Sequence, residues 1–176
     1  MTWVNCAMAV TAAWLCVSCG CAASNEQRGE RGGAIAADRH EAWGASFVLP
    51  PGFSGGENET GGFELTDGEL AFMIGRHALA DGESLDDFAE SRRRALAELG
   101  AAGSLAKSEE RIGASRALAF RGPGSEGVEV RLLLVRLDPR TGLSFLLVGE
   151  GAKVARLDAA WTKLLGSLEL PGSARD

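Results

Sequence analysis

Four cysteines offer the most reactive chemistry in this 176-residue chain, and all fall within its first 21 residues: Cys6, Cys16, Cys19 and Cys21. Cys16 and Cys19 form C-x-x-C, and Cys19 and Cys21 form C-x-C, spacings that serve thiolate redox chemistry or zinc. A structural zinc site needs four ligands, and no second Cys/His cluster follows; the two histidines, His40 and His77, stand far apart. A thioredoxin-like motif belongs after a strand of a folded domain. These cysteines instead end a leader in which no charge precedes Glu26. The leader is apolar from Val4 to Leu15, and then turns to small residues, Ser18, Gly20, Ala22 and Ala23. That pattern is an export signal with a processing region.

Elsewhere the candidates for chemistry have plainer readings. "GPGSEG", 122–127, fits G-x-G-x-x-G, but a phosphate loop must open a helix, and here a strand follows and Pro123 lacks an amide. It reads as a turn. "GEGAK", 149–153, lacks Walker spacing, and Ser125 has Pro123 where a nucleophile elbow needs Gly. Asp86 and Asp87 are adjacent, so they do not share a helix face, and they read as helix-start acids. Arg92, Arg93 and Arg94 are a candidate anion contact, weighed against plain solvation of a helix face. His77, beside Arg76, reads as structural or exposed. "NET", 58–60, fits a glycosylation acceptor. No catalytic residue, metal ligand or cofactor site is assigned. A net charge of −6 argues against a nucleic-acid partner, which selects for a basic field.

The elements that would position these residues follow from hydrophobic period. "WGASFVLP" alternates, with Trp43, Ala45, Phe47 and Leu49 on one face of a strand that ends at Pro50-Pro51. Phe63 and Leu65, then Leu70, Phe72 and Ile74, alternate around Asp67-Gly68 as a hairpin. "SLDDFAESRRRALAELG" is a helix: Ser84 and Asp87 make a capping box variant, Leu85, Phe88, Ala89, Ala95, Leu96 and Leu99 form its stripe, and Gly100 stops it. Four strands follow, with turns at Gly113-Ala114 and "DPRTG", 138–142. In "GVEVRLLLVRL", Val128, Val130, Leu132 and Leu134 face one way, and Leu133, Val135 and Leu137 the other, so this strand is covered on both faces. A second helix carries Val154, Leu157, Trp161, Leu164 and Leu165, and "SLEL", 167–170, closes the chain. Hairpins and two amphipathic helices predict an α+β fold, an αβα sandwich around a mainly antiparallel sheet.

The quoted segments resemble two known patterns. The leader resembles a bacterial lipoprotein signal, in which small residues precede a cysteine whose thiol takes a diacylglyceryl group. "VSCGC" places Cys21 as the acceptor, with Gly20 before it; Cys19 after Ser18 is the alternative. Leucine three residues before the acceptor and a basic start are both missing. Residues 43–170 resemble the PsbP/DcrB-like lipoproteins, whose fold is shared with the Ran-binding Mog-like proteins. The resemblance rests on "FVLPPGF", "ESLDDFAESRRRAL", "IGASRALAFRG", "GLSFLLVGEG" and "ARLDAAWTKLLGSLEL", with Phe53 where the family carries Trp. It implies an αβα sandwich and a lipid-anchored envelope protein, and brings no catalytic residues.

The expected organisation is a signal over 1–20, a flexible tether over 21–42, one domain over 43–170 and a loose tail over 171–176. The expected function is that of a non-enzymatic binding domain held at a bacterial envelope membrane by its N-terminal lipid, facing the periplasm or exterior, with a protein partner there. An envelope hydrolase with an unrecognised site and an uncleaved signal-anchored protein are the alternatives.

Overall fold

A computed structural model describes residues 39–57, 61–98 and 105–171. The leader, all four cysteines, the 58–60 acceptor, Leu99, Gly100 and the tail beyond 171 lie outside the described residues.

Seven antiparallel strands form the central sheet, in the order β3-β4-β5-β9-β8-β7-β6. They are β3 (Ser54–Glu57), β4 (Phe63–Thr66), β5 (Leu70–Ala78), β6 (Ala106–Ile112), β7 (Ser115–Pro123), β8 (Val128–Asp138) and β9 (Thr141–Glu150). A separate hairpin of β1 (Arg39–Ala42) and β2 (Ala45–Val48) lies beside the second of the two described helices, α1 (Leu85–Glu98) and α2 (Val154–Ser167). The alternation of the strands sorts the core into two halves. Phe72, Ile74, Leu133, Val135, Phe145 and Leu147 point to α2 and the β1–β2 hairpin. Leu118, Phe120, Val130, Leu132, Leu134 and Leu146 point to α1. One helix therefore covers each face, as expected for an αβα sandwich, and β8 is buried on both.

Two readings change, and one strand is new. First, the segment expected as tether ends earlier, because Arg39–Ala42 is a strand. Its pattern is not amphipathic; β2 gives it backbone partners, Arg39 pairs with Glu169, and Ala42 is buried. Second, Trp43 is not a strand residue. Trp43 (φ 49°) and Gly44 (φ 79°) make the two-residue turn between β1 and β2, the twist such hairpins require. Third, "SGGE" is a strand without any hydrophobic alternation. Gly55 (φ 140°) lies against β4 so closely that a Cβ there would stand 2.2 Å from the Glu64 carbonyl oxygen. Smaller shifts follow. The β8–β9 turn is only Pro139-Arg140, tightened by an Asp138 oxygen that accepts the Arg140 amide at 2.7 Å. The α2 stripe starts at Leu157, leaving Val154 exposed. The closing strand is reduced to a single bridge, Ser46 with Glu169.

α1 begins as expected. The Ser84 hydroxyl accepts the Asp87 amide at 3.1 Å, and the Asp87 carboxylate accepts the Ser84 amide at 3.2 Å.

Candidate functional site

On the α1 face of the sheet, β5 and β9 place His77 directly opposite Gly142 and diagonal to Ser144. Without a Cβ at Gly142, the Phe88 ring of α1 drops onto this spot: a Cβ would lie 2.7 Å from Phe88 Cε1. Phe88 then packs on the His77 ring, with centroids 5.4 Å apart. Ser144 is fully buried, and its Oγ lies 2.8 Å from His77 Nε2. Arg92, from the next turns of α1, reaches back so that its Nη1 lies 3.2 Å from His77 Nδ1.

A serine hydroxyl beside an imidazole is the beginning of a nucleophile–base pair. Its third member here inverts the chemistry. A guanidinium only donates, so Nδ1 must accept from Arg92, and the ring proton sits on Nε2. Nε2 then donates to Ser144 Oγ and has no lone pair with which to take the hydroxyl proton. In a hydrolytic triad, a carboxylate holds Nδ1–H and leaves Nε2 free as base. Burial, followed by the Arg92 charge, lowers the His77 pKa to about 3, which keeps the ring neutral. Burial also lowers the Arg92 pKa, against the opposing pull of Glu83. The cluster is a polar joint between α1 and the sheet. Sequence reading missed it because Arg92 lies 15 residues from His77, and Ser144 lies 67 residues away.

The three arginines of α1 go to different places. Arg92 turns into this joint. Arg93 donates to Glu90 at 2.8 and 2.9 Å, and Arg94 lies 3.8 Å from the same carboxylate. Asp86 holds Lys107 at 2.6 Å and Arg116 at 3.0 Å, tying the start of α1 to β6 and β7, and those bonds keep its carboxyl below the usual range. "GPGSEG" is a turn: a single 3-10 turn over Ser125–Gly127 between β7 and β8.

The opposite face holds a buried cation. Arg131 on β8 is 5% exposed; its Nε and Nη2 donate to Asp158 of α2 at 3.0 and 2.9 Å, and its Nη1 donates to Glu129 at 3.0 Å and to the Val130 carbonyl at 2.9 Å. Beside it, a groove of about 650 Å³ runs between α2 and the β6–β7 ribbon, lined by Glu110, Arg121, Asp158, Trp161 and Leu165 among others. Trp161 is a core residue, as its spacing predicted, though its buried indole N–H has no partner. Among the described residues no three His, Cys, Asp or Glu side chains cluster as metal ligands, and no helix is long and apolar enough to cross a membrane.

A seven-stranded antiparallel sheet with one helix on each face defines the class: the chain has the Mog1p/PsbP-like fold. Among solved structures it is similar to the Ran-binding protein Mog1p of Saccharomyces cerevisiae, with a TM-score of 0.56 and 12% identity over 78% of this chain and 96% of Mog1p. It is also similar to PA94 of Pseudomonas aeruginosa, a protein of unknown function, with a TM-score of 0.44 and 19% identity over 71% of this chain and 90% of that one. No protein-family model and no curated protein sequence matches the chain.

Proposed function

We propose that this is a lipid-anchored protein of the bacterial cell envelope whose α+β domain binds a partner protein and catalyses no reaction. The observation that carries the reading is the uncharged leader that ends in small residues at Cys21, set ahead of a domain whose first strand starts at Arg39. Cys21 is the acylated residue, and the 17 residues from 22 to 38 join it to the first described strand. Anchoring raises the local concentration of the domain near envelope partners. The non-catalytic part draws support from the Ser144–His77 pair, which has a buried hydroxyl and a tautomer set against base catalysis.

Intact mass of the membrane-extracted protein tests the anchor. The expected species lacks residues 1–20 and carries the added mass of a diacylglyceryl group. A chain that keeps Met1 and carries no lipid overturns the reading.

A further inference from the structure

β6 is the last strand of the sheet and, among the described residues, pairs with β7 alone. Its outer backbone groups are a template for one more strand. On the α1 side, Lys107 is committed to Asp86 and Glu109 to Arg116, while Arg111, further along the same face, is exposed opposite Arg116. On the α2 side, Ala106, Ser108 and Glu110 alternate; Glu110 lines the groove with Trp161 and Leu165, and one of its carboxylate oxygens accepts the Ser108 hydroxyl at 3.2 Å.

The charges of the groove are held apart. Arg121 lies opposite Ala106, and Glu110 lies opposite Ala117, so the two stand four residues apart along the ribbon, about 13 Å. Asp158, the other carboxylate of the groove, is committed to Arg131, which lies opposite Arg121. Arg121 is exposed and has no ion pair among the described residues. The groove thus offers a cationic end, an apolar wall and an anionic end, in register with a free strand edge.

We propose that the β6 edge and this groove together receive an extended segment of a partner protein, added antiparallel to β6, with a basic side chain facing Glu110, an apolar one two residues later against Trp161 and Leu165, and an acidic one two residues further on facing Arg121. The antiparallel sense fixes that order, because the partner residue opposite Glu110 precedes the one opposite Ala106. Main-chain bonds to the edge supply affinity, and the alternate side chains supply specificity. The inference deepens the reading of the domain as an interaction module and rests on it.

Random heptapeptides displayed on phage and selected on the full-length chain in detergent micelles test it. The expected winners carry base, apolar residue and acid at alternate positions. A synthetic winner shifts the amide resonances of β6 and leaves those of β3 unmoved. Arg121→Glu weakens its binding by about fivefold or more. The double variant Glu110→Arg/Arg121→Glu selects peptides with the acid first. Arg121 is exposed and Glu110 half-buried, and an unchanged thermal midpoint verifies that each variant folds. Selection of no peptide, of peptides indifferent to both substitutions, or of peptides that leave the β6 amides unmoved overturns the inference. Any of these results leaves the lipid mass at Cys21 untouched, so the anchor and the peptide groove fail separately.

Discussion

His77 has an ordinary pKa of 6.5 when the chain is unfolded and one lowered to about 3 in the fold, chiefly by burial and then by the Arg92 charge. Above pH 6.5 both states hold the ring neutral, and stability is independent of it. As pH falls below 6.5 the unfolded chain takes up a proton that the folded chain refuses. Stability then drops by on the order of 1 kcal/mol per pH unit until pH nears 3. The carboxylates of Glu69, Asp86, Asp87 and Glu90 are held below their ordinary values by hydrogen bonds and ion pairs. Their contribution is present above those values and fades only as pH falls past 4.5 for Glu or 3.8 for Asp. The window from pH 6.5 to 5 lies above these carboxylates, and His40, present in the natural chain and in His77→Gln alike, cancels from their difference. Urea denaturation at pH 7 and pH 5 is expected to show a loss in the natural chain that exceeds the loss in His77→Gln by about 2 kcal/mol. Equal losses in the two proteins would show that the ring is not held neutral.

Each element's legibility depended on where its partners come from. β2, β5, β8 and α1 carry their own period, so Phe47, Phe72, Leu132 and Phe88 are buried where alternation or helical spacing puts them. β1 and β3 carry none: β1 is made by pairing with β2, and β3 by pairing with β4, which Gly55 allows to approach closely. The same division holds at the candidate sites. The Ser84–Asp87 cap is local and readable from four residues, whereas the His77 joint and the Arg131 clamp are assembled by strand register between distant segments. Two substitutions test these assemblies. Gly142→Ala drives a methyl into the Phe88 ring and is expected to destabilise the fold by about 1–3 kcal/mol, with α1 amides losing hydrogen-exchange protection before those of β8. Asp158→Ala strips the carboxylate from buried Arg131. Because Asp158 is half-exposed and Glu129 remains, the expected loss is about 2 kcal/mol, below the full cost of a broken buried pair. Adding Arg131→Met removes the stranded charge and is expected to recover most of that loss by chemical denaturation. A double variant no better than Asp158→Ala would mean that the clamp holds α2 through packing rather than charge.

At the scale of the whole molecule, the anchor and the domain are separable pieces of physics. The two halves of the described core are built from side chains between Ala42 and Leu170, and the chain beyond Cys21 contains no cysteine. The leader carries the thiols but, before Glu26, no charge that could steer it to a surface electrostatically. If acylation at Cys21 alone holds the protein to the membrane, Cys21→Ser must move it from the membrane fraction to the salt-soluble fraction. The thermal midpoint of the described domain must not change, because both halves of its core are built from residues after Arg39. Cys19→Ser must leave both fractionation and mass as they were. The opposite result, with Cys19→Ser releasing the protein, would place the acceptor two residues upstream and lengthen the tether accordingly. Retention of both variants in the membrane at high salt, with Met1 still present by mass, would mean that the apolar and small stretch from Val4 to Ala23 stays in the bilayer as an uncleaved anchor. A single acyl chain holds only marginally. Fractionation of the natural chain should therefore resist a high-salt wash only if the modified cysteine carries more than one chain, and the same intact-mass spectrum that locates the acceptor counts them.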